Sequence, residues 1–201
     1  MSFIRALTMP LIRPLSAAEL PRYRGHLLRL DAEDRRWRFG FLATDDSIRQ
    51  HVAKLDLDRD RILVGVDANL DVIAAAHVSP ADTEVEFAFS VDRSWRGRGL
   101  GTHLFDQAVL WARNRGLRQA HIYCLADNQV MKHMARKSEM VITSDAGESE
   151  GCLTLLPPTP LSLIGEMVTG YAGLFDLSLK SILRNVLRLR LPHCTAVGFL
   201  A

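Results

Sequence analysis

A glycine-rich loop between a strand pattern and a helix pattern constrains this chain more than any other segment. Residues 96–101 read R-G-R-G-L-G, directly after the strand-forming run 84–91 and before a helix-patterned stretch, 102–114. Glycine lets the backbone turn tightly, and the free N–H groups at a helix start favour an anion. Arg96 and Arg98 add two permanent cations suited to phosphate. The segment therefore predicts a phosphate-binding loop.

Other phosphate loops fit this sequence less well. A Walker loop needs G-K-[ST] after a four-residue gap, and no such sequence occurs. A dinucleotide-binding fingerprint needs G-x-G-x-x-G and an acidic residue about 20 positions on, whereas this loop reads G-x-G-x-G. The remaining alternative is a tight strand-to-helix turn whose arginines only face water.

A second segment downstream repeats the order of strand, polar turn and helix. Residues 119–125 alternate like a strand, and Asp127 and Asn128 then stand where a helix to about Lys137 would begin. Side chains of this kind cap helix N-termini by accepting backbone hydrogen bonds.

The two segments together resemble the GNAT superfamily of acetyl-CoA-dependent N-acetyltransferases over roughly residues 10–157. The first matches R-x-x-G-x-G, and the second matches N-x-x-A/M-x-x-h-[YA]-x-K-x-G-F through Asn128, Met131, Met134 and Lys137. Three positions depart from the family pattern. Ala135 stands where many members place a tyrosine proposed as general acid, Glu139 replaces a glycine, and Met140 replaces an aromatic.

The resemblance implies an α/β (α+β) fold, with a mixed central sheet of about seven strands and helices on both faces. Patterning agrees, with a capped helix from Ser16 to about Leu30, a connection at 35–39 and a second helix from Asp45 to about Leu55. Strands are predicted at 11–15, 61–66 and 70–78, and a closing hairpin at 139–143 and 152–156. We expect a GNAT domain over 1–158 and a C-terminal amphipathic helical extension over 159–201.

The resemblance also implies acetyl-CoA as co-substrate. Its pantetheine arm would pair with the strand before the loop, and its pyrophosphate would lie on the loop. The implied cofactor-binding residues are Phe89, Ser90, Val91, Arg96, Gly97, Arg98, Gly99, Leu100, Gly101, Thr102 and Asn128. Asn128 also has a purely structural interpretation, as the helix cap.

Glu86 is the candidate general base, because it precedes Arg96 by ten residues, as in many family members. Period-two alternation puts Glu84, Glu86, Ala88 and Ser90 on one strand face. The alternative is that both glutamates are ordinary solvated residues. With alanine at 135, no acid is evident for the leaving thiolate, and Tyr123 is expected to be a core residue instead.

Composition fits a small enzyme and excludes few other classes of protein. The chain has 201 residues, 48% of them hydrophobic, and a formal net charge of +2, which does not indicate nucleic-acid binding. Its three cysteines, Cys124, Cys152 and Cys194, show no C-x-x-C spacing, which favours a reduced, cytoplasmic location. Its histidines show no metal-ligand spacing, and neither a secretory signal nor a transmembrane span is expected.

The C-terminal extension carries its own pattern. An apolar stripe comprises residues 174, 175, 179, 182, 183 and 186, while cations recur at 180, 184 and 188. We expect the stripe to pack on the domain or to pair two chains in a homodimer. A basic amphipathic helix on an anionic membrane surface is the alternative.

The predicted activity is transfer of an acetyl group from acetyl-CoA to a primary amine of a small molecule or peptide, with Glu86 or a bound water as base. The alternative is a GNAT-fold module that binds or senses acyl-CoA without turnover, prompted by Ala135 and Glu139. The resemblance implies that the acceptor lies against residues 22–51 and 145–150.

Overall fold

The computed structural model describes residues 9–189, with side chains up to residue 182. We number the elements in chain order. They are β1 Ile12–Pro14, α1 Leu20–Arg29, α2 Ala32–Phe39, α3 Asp45–Ala53, β2 Arg61–Val66, β3 Val72–Ala81, β4 Glu84–Val91, α4 Leu100–Asn114, β5 Gln119–Leu125, α5 Gln129–Lys137, β6 Val141–Asp145, β7 Glu148–Thr154 and α6 Pro160–Leu189.

The strands form a single mixed sheet in the order β1-β2-β3-β4-β5-β7-β6. Every neighbouring pair is antiparallel except β4 and β5, which are parallel. That pair is joined only from Glu84–Gln119 to Glu86–His121. Beyond it, residues 87–91 and 122–125 diverge and leave an opening in the sheet, which we call the β4–β5 cleft.

Helices cover both faces of the sheet over two apolar cores. On one face, α4 packs Leu104 and Phe105 against Phe87 and Phe89 of β4. On the other, α1 and α3 bury a cluster around Tyr23, which is fully buried. The predicted fold class is therefore confirmed.

The predicted connection at 35–39 is wrong, because these residues belong to α2. The Asp31 carboxylate accepts the Asp34 N–H at the helix start, and Gly40, at φ +79°, ends the helix in the left-handed conformation that suits glycine. The closing hairpin is also shifted, since its strands are 141–145 and 148–154.

The helix α6 is anchored to the domain at several points along its length. Near its start, the Ser162 hydroxyl donates to the Asn114 side chain at 2.6 Å, and Glu166 pairs with Arg115 at 2.7 Å. Midway, a Cβ added at Gly173 would lie 2.6 Å from the Arg13 Cβ. Later, the Lys180 ammonium donates to the Val66 carbonyl at 3.1 Å.

The opposite side of α6, which we call its outer face, is apolar and exposed. It carries Leu161, Leu163, Ile164, Met167, Val168, Tyr171, Leu174, Phe175, Leu179 and Ile182. The other predicted stripe positions, 183 and 186, and the cations at 184, 188 and 190 lie outside the described side chains. No helix within residues 9–189 is long and apolar enough to cross a membrane. The division into domains at 158/159 stays a prediction.

Candidate cofactor and acceptor site

The β4–β5 cleft opens into a pocket of about 420 Å³, a volume within the range of small-molecule sites. Four segments form its walls: the end of β4, the glycine loop with the start of α4, the α5 helix and the α2 helix. Its lining residues are Leu30, Asp34, Trp37, Arg38, Phe89, Ser90, Val91, Trp95, Arg96, Gly97, Gly99, Leu100, Gly101, Thr102, Asn128, Val130, Met131, His133, Met134 and Lys137. Of the predicted cofactor-binding residues, all but Arg98 line this pocket. Glu86 does not.

The free edge of β4 offers backbone groups to the cleft. The Asp92 N–H donates to Ile73 of β3, and backbone groups alternate in direction along a strand. Phe89 and Val91 therefore turn their N–H and C=O groups toward β5, where the strands have separated. An extended amide-bearing chain can pair with this edge as an added strand.

The glycine loop places unpaired helix N–H groups at one end of the pocket. Gly97 and Gly99 have φ values of +70° and +87°, and a Cβ on either would meet no atom within 4 Å. The first backbone bond of α4 runs from the His103 N–H to the Gly99 carbonyl. The N–H groups of residues 100–102 precede that bond and point along the helix axis, an arrangement that binds phosphate.

Arg96 is held in place by two contacts. Its Nε donates to the Val91 carbonyl at 3.0 Å, and its Nη2 pairs with Asp34 Oδ2 at 2.7 Å. The Asp34 side chain is only 7% exposed, and its Oδ1 has no hydrogen-bond partner. Arg96 thus compensates a buried carboxylate at the pocket wall, besides being a candidate phosphate ligand.

Arg98 lies outside the pocket lining. Its guanidinium stacks on the Trp95 ring at 4.6 Å and donates to the Ser94 carbonyl. The two arginines of the loop therefore differ in role in this structure: Arg96 is paired with Asp34 of α2, and Arg98 faces outward.

The α2 helix crosses the cleft and is tied to both sides of it by ion pairs. On the loop side, Asp31 pairs with Arg93 and Asp34 with Arg96, both at 2.7 Å. On the β5 side, Arg36 pairs with Asp127 at 2.7 Å and holds the pKa of that carboxyl below its usual value. Asp31, Asp34 and Arg36 therefore tie this helix to both sides of the cleft.

A buried hydrogen-bond chain fixes the end of β4 to α1. The Ser90 hydroxyl lies 2.8 Å from His26 Nε2, and His26 Nδ1 lies 2.8 Å from Asp92 Oδ1. Burial by itself would raise the pKa of the Asp92 carboxyl. Hydrogen bonds from His26 and Arg29 outweigh that effect and hold this pKa below its usual value. The order serine, histidine, aspartate matches that of hydrolase triads, but His26 is fully buried. Here the chain positions the strand that lines the pocket.

The second motif supplies the other wall. Asn128 is 4% exposed, accepts the Met131 N–H at 3.0 Å as the cap of α5, and lines the pocket. Ala135 is buried, and its Cβ packs 3.6 Å from the position a Cβ would take at Gly151. A tyrosine there would have to displace the core. Glu139 has φ +60°, which explains why glycine suits this position.

Glu86 lies on the open sheet face at the point where β4 and β5 separate. It is exposed and pairs in register with His121 of β5. Tyr123, expected in the core, is 58% exposed, so that expectation is wrong. Burial, followed by the carboxylates of Glu150, Glu86 and Glu84, raises the pKa of Tyr123. The hydroxyl therefore stays protonated and can donate.

Several residues of the site escaped sequence analysis, among them His26, Asp34, Trp37 and Asp92. His26 and Ser90 are 64 positions apart, and no spacing rule connects them. Sequence analysis did not identify Asp34 and Trp37, because it did not assign their segment to a helix. Within the described residues, no group of histidine, cysteine or carboxylate side chains could hold a metal ion.

Comparison with solved structures shows a common fold at low sequence identity. The GNAT domain of S. lividans PAT aligns with TM-score 0.62 at 19% identity, covering 72% of this chain and 89% of that chain. Spermidine N-acetyltransferase from Vibrio cholerae, in complex with CoA and spermine, aligns with TM-score 0.58 at 13%, covering 74% and 96%. A phosphinothricin acetyltransferase from Sinorhizobium meliloti, in complex with AcCoA, aligns with TM-score 0.56 at 17%, covering 76% and 94%.

The family itself is shown by a sequence model. The model of the Acetyltransferase (GNAT) family matches residues 26–139, which include α2, the β4–β5 cleft, the glycine loop and α5. These are the segments that build the pocket. The chain therefore belongs to the acetyltransferase (GNAT) family and is an acyltransferase enzyme.

Proposed function

We propose that this acetyltransferase moves the acetyl group of acetyl-CoA to a primary amine of a small molecule or peptide. The single observation that carries the proposal is the β4–β5 cleft, where a free strand edge leads directly to a phosphate-binding helix start. This order matches a ligand with amide groups at one end and a pyrophosphate at the other. Named relatives of the same fold carry CoA or AcCoA.

In the proposed complex, the pantetheine arm pairs with the backbone of Phe89 and Val91. The pyrophosphate lies on the N–H groups of residues 97–102, with Arg96 as the nearest cation. The thioester carbonyl then accepts from an N–H of β4 near Phe89. That contact strengthens as the oxygen gains negative charge, so it lowers the barrier.

Glu86 acts in the proposal as general base, directly or through a water. A neutral amine attacks the thioester carbon, its proton passes to Glu86, and the carbon–sulfur bond breaks to release CoA thiolate. Glu86 lies outside the pocket lining, where the strands separate, so an acceptor would approach from the open sheet face. A bridging water fits this exposed position better than direct contact.

Tyr123 is the proposed donor to the leaving thiolate. It lies beyond the residues of β5 that pair with β4, and burial together with its carboxylate neighbours raises its pKa and keeps the hydroxyl protonated. Ala135 points into the core, so the family's tyrosine position is not available for this role. CoA can also leave as an anion at modest cost, because thiols have a pKa of about 8.5.

The exposed part of the acceptor side carries several acidic side chains. Glu84, Glu86 and Glu150 surround His121 and Tyr123, with Glu150 Oε1 2.8 Å from His121 Nδ1. A neutral amine is in equilibrium with its ammonium form, which such a face attracts. The proposal includes a cytoplasmic location, which the free thiols of Cys124 and Cys152 support.

The two residues that favoured a binding module without turnover no longer do so. That alternative was prompted by Ala135 and Glu139, and both now have local structural explanations, a packed core and a left-handed backbone.

The test follows thiol release from acetyl-CoA across a panel of amines and peptides, using Glu86→Gln and the matched control Glu84→Gln. We expect Glu86→Gln to lower kcat about a hundredfold or more, as general-base catalysis contributes roughly 10² to 10⁴. CoA affinity should not change. Glu84→Gln should stay near wild type, and Tyr123→Phe should lower kcat at neutral pH, by a factor that shrinks at the alkaline end of the pH profile, where the wild-type tyrosine itself ionises. Full activity of Glu86→Gln at neutral pH would refute the base assignment.

A further inference from the structure

The outer face of α6 is too large an apolar surface for a monomer in water. Its ten large side chains are between 46% and 79% exposed. Aromatic side chains present roughly 150–250 Å² when fully exposed and the aliphatic ones somewhat less, so the ten together leave on the order of 1,000 Å². A typical monomer's largest apolar patch is only about 300–600 Å².

These side chains lie on one side of the helix. At about 100° per residue, all ten fall within an arc of about 160°. The three charged residues of the described part of α6 are engaged elsewhere: Glu166 with Arg115, and Asp176 with Lys180. The outer face therefore has no charge over the described side chains.

The helix also presents this face rigidly. It is fixed to the domain near its start by Ser162, midway by the close approach at Gly173, and later by Lys180. The exposure is thus built into the domain's own packing, because the side that faces the domain is already satisfied.

We propose that the outer face of α6 is the interface of a two-fold homodimer. An uncharged apolar face can pair with a copy of itself without like-charge repulsion, as an isologous interface requires. Its area matches the roughly 800 Å² that each partner contributes to a standard stable interface. An anionic membrane is a poorer occupant, because surface-bound helices carry several lysines and arginines on the side opposite their apolar face. Over the described side chains, that side of α6 has one cation, Lys180, which is already engaged by Asp176 and the Val66 carbonyl.

The position of α6 is compatible with activity in both chains. The helix packs beside β1, the edge strand, whereas the β4–β5 cleft lies between the fourth and fifth strands of the sheet. Two chains joined through α6 would leave both clefts open. Tyr171 and Phe175 lie near the middle of the face and are its largest side chains, which makes them the expected energetic centre.

The test measures the mass of the full chain in solution by sedimentation velocity and light scattering at micromolar concentrations. We expect wild type at twice the chain mass, and Tyr171→Glu and Tyr171→Lys each at the mass of one chain. The control Val141→Glu, a 72% exposed apolar residue on β6, should stay dimeric. Unchanged CoA binding by each variant shows that the domain remains folded.

Mixing two variants tests whether the interface is two-fold symmetric. Tyr171→Glu and Tyr171→Lys, combined in equal amounts, should return to a dimer because opposite charges then meet across the axis. Should the glutamate variant precipitate, Phe175→Ser repeats the dissociation test with a smaller polar change. A monomeric wild type, or a dimer that survives both substitutions, overturns the proposal. A monomeric wild type that sediments with phosphatidylglycerol vesicles overturns it in favour of a membrane surface.

Discussion

Replacing Arg96 should destabilise the protein as well as weaken cofactor binding, because it leaves the buried Asp34 carboxylate without a counter-ion. Arg96 compensates Asp34 at 2.7 Å, and the two side chains are 34% and 7% exposed. Removing one partner of a buried pair costs about 3–5 kcal/mol. Arg96 is one third exposed, so we expect about 2–3 kcal/mol for Arg96→Ala, screened by solvent. At roughly 2–4 °C per kcal/mol for a chain of this size, Tm should fall by about 4–12 °C.

The matched control is Arg98→Ala. It removes the same charge from the same loop, but Arg98 stacks on exposed surface and has no buried partner. Its effect should stay within about 0.5 kcal/mol. The double variant Asp34→Asn/Arg96→Ala should regain at least about 1 kcal/mol over Arg96→Ala, because no ion is then left unpaired.

Thermal and urea denaturation of these variants provide the free energies. Calorimetry adds a second readout, since Asp34→Asn releases Arg96 toward the pyrophosphate and should tighten CoA binding several-fold. The reasoning is refuted if Arg96→Ala has the same Tm as Arg98→Ala, or if the double variant is no more stable than Arg96→Ala.

Three further predictions concern stability. Glu139→Gly should stabilise by about 1 kcal/mol, because φ +60° strains a side chain; Ser138→Gly, at φ −95°, should not. Burial, then the Arg38 charge, lowers the pKa of His51 to about 4, so the unfolded chain binds more protons between pH 4 and 6.5. Stability should fall by about 1–2 kcal/mol, discounted for exposure, as pH drops through that window. In urea titrations His51→Gln should reduce that fall and leave the part due to His77, whose pKa is also lowered by burial. Gly173→Ala should loosen α6 and lower Tm, whereas Gly170→Ala, in open space, should not.

Local patterns predicted the parts of the fold that local forces specify. The bounds of β4 and β5 match the prediction, because both strands alternate between core and surface and end at polar turns. The glycine loop was equally readable, since positive φ at Gly97 and Gly99 demands that residue type. The superfamily assignment rested on these segments and is confirmed by the family model.

Long-range contacts decide what the sequence did not reveal. The α2 helix is mostly polar, and its ion pairs reach Arg93, Arg96 and Asp127, which are far away in the chain. The sequence of α2 therefore lacks the hydrophobic periodicity from which a helix is predicted. Tyr123 looked like a core residue because it lies in a strand, and only the separation of β4 from β5 leaves it exposed.

The most direct test of the central claim is the initial rate of CoA release from acetyl-CoA, measured with and without a primary amine, alongside mass spectrometry of the amine. The account predicts release that depends on the amine and matches acetylated product mole for mole. Acetyl-CoA that binds but is never consumed across the amine panel would contradict the proposed transfer. So would CoA release at the same rate without any amine, since the acetyl group would then pass to water.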